Sequence, residues 1–154
     1  MAADKIASYA NADYYGKESM QKTRQIVLLY EGIIRFLEQA KKAMEDKDYE
    51  ERFNLLQKAS NVIVGLHSAL DFDKGGEISG TLSNFYSNLD LRIINLNRTN
   101  DVAECDEIIK EIKLMHEAWE KIDQEYGQNS EGMTAYSAEK PDQKPEGEGA
   151  DFSA

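Results

Sequence analysis

Proline is nearly missing from this chain: it has two, Pro141 and Pro145, both close to the C-terminus. More than 130 residues therefore pass without a helix-breaking residue, which suits long helices and fits poorly with a turn-rich β fold. Cysteine is represented by Cys105 alone, so no intramolecular disulfide can form and a reducing cytoplasm is the expected home. Basic charge is scarce: 18 Lys and Arg stand against 29 Asp and Glu, a formal net charge of −11. A nucleic-acid groove or an anionic-lipid surface needs a basic stripe, so neither partner is expected. No apolar run approaches the ~18–20 residues that span a bilayer, so no membrane insertion is expected. The first fifteen residues also lack the apolar stretch of a secretory signal. What remains is one domain of 154 residues, 41% hydrophobic and 31% charged, with a narrow core and much solvated surface.

Four periodic segments fill the middle of the chain. From about Ser19 to Asp48, Ile26, Leu29, Ile33, Phe36 (with Leu37), Ala40 and Met44 recur at steps of three and four, one face of a helix. Gly32 sits inside this helix at a cost of about 1 kcal/mol against Ala, which points to close packing there. Asp48 followed by Glu51 reads as an N-cap, and Leu56, Ala59, Ile63, Leu66 and Leu70 then form a bundle seam. Residues 71–77, with adjacent glycines, supply a turn. A third helix, about Glu77 to Thr99, carries Ile78, Leu82, Phe85, Leu89, Ile93 and Leu96 on one stripe. Asp101 and Glu104 cap a fourth, about Val102 to Tyr126, whose stripe runs from Cys105 through Ile108, Ile112, Met115 and Trp119 to Ile122.

The expected fold is all-α, an antiparallel up-down four-helix bundle over residues 19–126. An N-terminal arm, residues 1–18, precedes it. Residues 127–154 have six acidic and two basic side chains and no apolar periodicity, so they read as a disordered acidic tail.

No catalytic constellation is legible. His67 and His116 have Val64 and Lys113 three residues before them, so neither forms the Glu-x-x-His pair of a di-iron bundle. His116-Glu117 is not followed by the second histidine of a zinc-protease helix, and Gly75-Gly76 lacks the Gly-Lys ending of a phosphate loop. Cys105 lies on an apolar stripe, where a free cysteine is ordinarily buried. The chain is therefore read as no enzyme, with no metal ligand set and no cofactor.

The surplus is apolar. Leu55, Val62 and Ala69 form a second stripe on the second helix, and Val27, Leu28, Ile34, Tyr86, Leu91 and Ile94 exceed the needs of their own seams. Two readings stand open: a tightly packed bundle, or an outer groove on the second and third helices that accepts a partner helix. In the arm, Ile6 and Tyr9 sit three apart in a polar segment and could cap the bundle or cover such a groove. A self-complementary groove could equally pair two copies, which leaves the oligomeric state open.

These segments resemble the FliS family of flagellin-specific export chaperones. Leu28-Leu29-Tyr30-Glu31-Gly32 is similar to the family's LY-D/N-G motif, and Lys58-Ala59 with Asn61-Val62-Ile63 and Leu66 to its KA-x-NII-x-x-L run. Leu70-Asp71 through Lys74-Gly75-Gly76-Glu77-Ile78 resembles the LD-x-x-KGGEI loop, the most specific piece. Leu82, Tyr86, Arg92, Asn97, Asn100 and Asp101 fall on the stretch that follows, Ala118-Trp119 matches an AW pair, and Ile6-Ala7-Ser8-Tyr9 an N-terminal I-x-x-Y element. The chain departs from the pattern at residues 21–26, which lack the usual Ser-Pro, and at Arg92, which stands alone where the family has two arginines.

The resemblance implies a cytoplasmic chaperone. It would bind the disordered C-terminal segment of flagellin, prevent premature polymerisation and deliver the subunit to the flagellar type III export gate. It also implies that Ile6 and Tyr9 form a displaceable cover. The groove is expected along Val62, Ile63, Leu66, Leu70, Leu82, Tyr86, Leu89 and Ile93. The alternative is a helical-bundle adaptor for a partner helix other than flagellin.

Overall fold

In the computed structural model the backbone is described for residues 17–139 and side chains for residues 22–125. Five helices follow one another: α1 (Lys17–Glu45), α2 (Tyr49–Ser68), α3 (Phe72–Gly75), α4 (Glu77–Thr99) and α5 (Val102–Glu139). No strand occurs among the described residues. The four long helices are those expected, and α3 is a single turn inside the segment read as a glycine break. The arm with Ile6 and Tyr9 lies outside the described residues.

The capping predicted from sequence sets the joints. The Asp48 side chain accepts the Glu51 N–H at 3.2 Å to start α2, and Asp101 accepts that of Glu104 at 3.0 Å to start α5. Asp71 accepts the N–H groups of Asp73 and Lys74 at 3.0 Å each, which starts α3 and holds its carboxyl below the usual range, the Lys74 N–H contributing most. Gly76 then takes φ +55° and ψ −127°, a conformation open to glycine and costly for any side chain. This accounts physically for the second glycine of the Lys-Gly-Gly-Glu loop.

At the opposite end, Asn100 closes α4 with φ +52° while its N–H reaches the Leu96 carbonyl. Its side chain donates to the Met44 carbonyl at 3.3 Å and accepts from Arg52 at 2.9 Å. Arg52 also donates to the Asn97 carbonyl at 2.8 Å and lies over the Tyr49 ring. One turn thus locks the ends of α1, α2 and α4 together.

α1 packs along both α2 and α5, α2 packs also on α4, and α4 meets α5 only over a short stretch. Arg92 bridges that last seam, donating to Glu104 at 2.8 Å and Glu111 at 2.9 Å. Ser60 on α2 donates to the Asp90 carboxylate on α4. The core is mainly apolar, with Thr23, Ser60 and Ser79 also buried, and Tyr30, Leu37, Leu56, Ile63, Ile93, Ile108 and Trp119 are each essentially excluded from solvent.

Three expectations are revised here. In the first turns of α1 the buried apolar residues are Val27 and Tyr30, one position on from the expected Ile26 and Leu29. Both phases are apolar in the sequence, so periodicity alone does not choose between them. Gly32 does not mark close packing: a Cβ there would meet only the Arg35 Nη2, at 3.9 Å. Gly32→Ala is therefore expected to stabilise the fold by about 1 kcal/mol, read as a higher denaturation midpoint. Finally, α5 continues past Tyr126 to Glu139, so the expected tail 127–154 loses its first part to helix. The reason is that Gly127 and Gly132 only weaken a helix, while the first proline, which would stop it, is Pro141. Residues 140–154 lie outside the described residues.

Candidate partner-binding pocket

Where α1 begins, α2 ends and α4 begins, the bundle leaves an apolar hollow of about 130 Å³. The wall from α1 carries Ile26 and Leu29, with Lys22 and Gln25 above them. α2 supplies Gly65, Leu66, Ala69 and Leu70, α4 supplies Leu82 and Tyr86, and Trp119 of α5 closes the bottom. The volume compares with the ~150 Å³ cavities that take up a benzene-sized apolar guest. It fits the anchor side chain of an amphipathic segment.

The hollow exists because of two local choices. Ile26 and Leu29 are turned out of the core by the phase of α1, and Leu29 remains 41% exposed. Gly65 contributes no side chain, and nothing lies within 4 Å of where its Cβ would be. Behind the wall, contacts converge on Tyr86. Tyr30 and Tyr86 share a hydrogen bond at 2.9 Å, and burial pushes the Tyr30 hydroxyl up to about 12, so it is neutral at ordinary pH. Phe85 and His67 pack their rings on Tyr86, and His67 Nε2 is 2.7 Å from the Ser83 hydroxyl, tying α2 to α4.

The eight residues expected to form a groove separate into three groups. Leu66, Leu70, Leu82 and Tyr86 come together around the hollow. Val62 is half-buried beside the core and does not reach it. Leu66, Leu82 and Tyr86 line the hollow although they too are buried, at 5%, 2% and 3% exposure, whereas Ile63, Leu89 and Ile93, at 1%, 2% and 0%, are core residues that do not border it. They occupy inward seam positions, so Ile63→Asp would report on folding rather than on a groove. The sequence reading did not place Ile26, Leu29, Gly65 or Trp119 at the wall, and it named Ala69 only as part of the second apolar stripe of α2. A glycine near the end of α2, Gly65, was an available signal.

Outside the hollow, Leu91 and Ile94, three apart on α4, are 70% and 49% exposed, and Val64 on α2 is 48% exposed. They belong to the apolar surplus, of which Val27, Leu55 and Tyr86 are instead buried in the core. Leu91, Ile94 and Val64 lie outside the pocket lining, on the solvent-facing sides of their helices.

Cys105 offers no nucleophile. Burial, followed by the neighbouring Asp106 carboxylate, pushes its thiol up to about 11, and its Sγ lies 3.7 Å from the Leu37 carbonyl. Thiolate is the reactive form, so a disulfide reagent at pH 8 is expected to label Cys105 only when denaturant unfolds the chain. The folded thiol keeps its proton to higher pH than an exposed one at 9.0. Its contribution to stability is therefore whole below pH 9 and is lost as the pH rises toward 11. No helix among the described residues is long and apolar enough to cross a membrane.

Comparison with known proteins agrees with this picture. The family model described as "Flagellar protein FliS" matches residues 5–126. A flagellar secretion chaperone FliS of Campylobacter jejuni is 35% identical over 108 residues, 70% of this chain and 82% of its own length. A flagellar secretion chaperone FliSB of Pseudomonas aeruginosa is 35% identical over 99 residues, 64% of this chain and 79% of its own. The FliS of Vibrio cholerae is 32% identical over 122 residues, 79% of this chain and 90% of its own. These names are those of chaperones and not of enzymes. With most of its length matched by the family model, the chain belongs to the FliS family of flagellar proteins.

Proposed function

We propose that this protein is a cytoplasmic flagellar export chaperone whose apolar pocket receives an anchor from the C-terminal segment of flagellin. The observation that carries the reading is an open apolar hollow, framed by Leu66, Leu70, Leu82 and Tyr86, in a chain of the FliS family. A terminal segment that is disordered alone pays an ordering cost when it binds. Burial of one large apolar side chain contributes about 1.5–3 kcal/mol, so a pocket anchor and further contacts along Leu91 and Ile94 offset that cost. Held in this way, the segment cannot polymerise, and the complex is fit to be handed to the export gate.

Ile6 and Tyr9 are proposed as the cover that occupies the pocket before flagellin arrives. The arm joins α1 at Lys17, and Lys22 already stands at the pocket rim. Tyr9 stands eight positions before Lys17, a reach of roughly 26 Å for an extended chain, enough to return over the hollow. Deleting residues 1–12 is expected to raise binding of a hydrophobic dye; an unchanged signal would remove the cover from the scheme.

The primary experiment is co-purification of the full chain with flagellin and with a flagellin lacking its C-terminal segment. Retention of the first alone supports the proposal. Equal retention of both overturns it, and retention of neither favours an adaptor for a different helix.

A further inference from the structure

Between α1 and α5 lies a second, open hollow of about 430 Å³, lined mostly by charged side chains. We infer that this hollow holds a divalent transition-metal ion, bound by Glu31 of α1 and by His116 and Glu120 of α5. His116 and Glu120 are four apart, so they lie one above the other on one face of α5. Glu31 faces them from α1, its Oε2 3.0 Å from His116 Nε2. One donor atom from each of the three residues lies within 4.8 Å of the other two.

That arrangement is close to a metal site in its chemistry and its dimensions. One imidazole nitrogen and two carboxylates, with a fourth position left for water, is a ligand set used by zinc. Zinc bonds of ~2.0–2.2 Å place tetrahedral donors about 3.3 Å apart, so rotation of the two glutamate side chains completes the geometry. The ion takes the place of the proton that otherwise joins His116 to Glu31. Around the ligands Glu38 and Glu117 balance Arg35 and Lys113, with Lys113 paired to Glu38 at 3.3 Å, so the negative charge of the hollow is that of Glu31 and Glu120 themselves. A nitrogen donor selects zinc, cobalt or nickel over magnesium and calcium, which prefer oxygen alone. The His116 side chain is only 17% exposed, so it is held in place before the ion arrives.

The position gives the ion a structural task. Glu31 directly follows Tyr30 and Glu120 directly follows Trp119, which closes the bottom of the apolar pocket. An ion here clamps together the two helices that supply the pocket's α1 wall and its floor.

The test uses the untagged full chain after treatment with chelator, titrated calorimetrically with zinc chloride and followed by Trp119 fluorescence. One ion per chain is expected, with a rise in melting temperature. Glu120→Gln and Glu31→Gln are each expected to lower zinc affinity at least tenfold while circular dichroism stays unchanged. Glu117→Gln, in the same hollow but outside the ligand set, is expected to bind as the wild type does. The site is overturned if the wild type takes up no zinc, if Glu120→Gln and Glu31→Gln bind it undiminished, or if magnesium binds as tightly as zinc. Cobalt provides an independent readout: a strong visible absorption expected of a four-coordinate ion, lost in His116→Ala. Cobalt uptake without that absorption, or an identical band in His116→Ala, rejects the proposed coordination.

Discussion

Gly65→Leu is expected to lower affinity for flagellin by about 30- to 150-fold while leaving the fold intact, because it fills the proposed anchor pocket from inside the wall. Gly65 stands in the last third of α2, exposed, with nothing within 4 Å of the place its Cβ would occupy. A larger side chain therefore meets open space rather than backbone. Its own helix gains, since leucine is favoured over glycine by nearly 1 kcal/mol in a helix interior. The loss falls on the partner, whose anchor forfeits roughly 2–3 kcal/mol of burial. Gly65→Ala is the control: it brings the same kind of helix gain with little volume, so affinity falls only slightly. Calorimetry against flagellin and thermal melting followed by circular dichroism separate the two effects. Wild-type affinity in Gly65→Leu would place flagellin elsewhere on the surface.

Trp119→Ala carries the largest expected loss of stability, about 3–5 kcal/mol. Trp119 is 1% exposed and forms both part of the core and the floor of the pocket. Its removal leaves a cavity continuous with the hollow above it, and neighbours from three other helices cannot collapse into that space together. Against a total stability of about 5–15 kcal/mol, the loss lowers the melting temperature by roughly 10–20 °C. A reduced denaturant midpoint with an unchanged slope would confirm a cavity effect rather than a change in the unfolded state. Trp119→Phe is expected to recover more than half of the loss. A melting temperature within 3 °C or so of wild type in Trp119→Ala would show that the residue is not part of the packed core.

The helices and their joints were legible because local chemistry determines them. Asp48, Asp101 and Asn100 are cap residues by type, and each caps a helix end here. The adjacent glycines before α4 marked a turn, and Gly76 takes the positive φ that such a turn needs. The pocket was legible only in part. Leu66, Leu70, Leu82 and Tyr86 border it, but Ile63, Leu89 and Ile93, no more deeply buried than Leu82 in any way the sequence could show, do not. Apolar residues on a wide stripe look alike in sequence, and only the angle between neighbouring helices decides which of them face outward.

Distance along the chain hid the rest. Trp119 and Ile26 meet at the same hollow from opposite ends of the bundle sequence. His116 has no metal-binding motif nearby, because its partner Glu31 is 85 residues away on another helix. The helical stretch beyond Tyr126 is a different case. There the composition is that of a tail, and it contains no residue that forbids a helix before Pro141.

The central place of α1 has a consequence for how the protein is made. One side of α1 rests on α2, which is synthesised directly after it, but the other side rests on α5, the last helix to emerge. Arg24 and Asp123, which pair across that contact at 3.3 Å, are 99 residues apart in sequence. At ~5–20 residues per second a ribosome needs about 5–20 s to bridge such a gap. For that interval the nascent chain shows an apolar strip with no lid of its own. A chaperone of this architecture spends its first seconds as a candidate client.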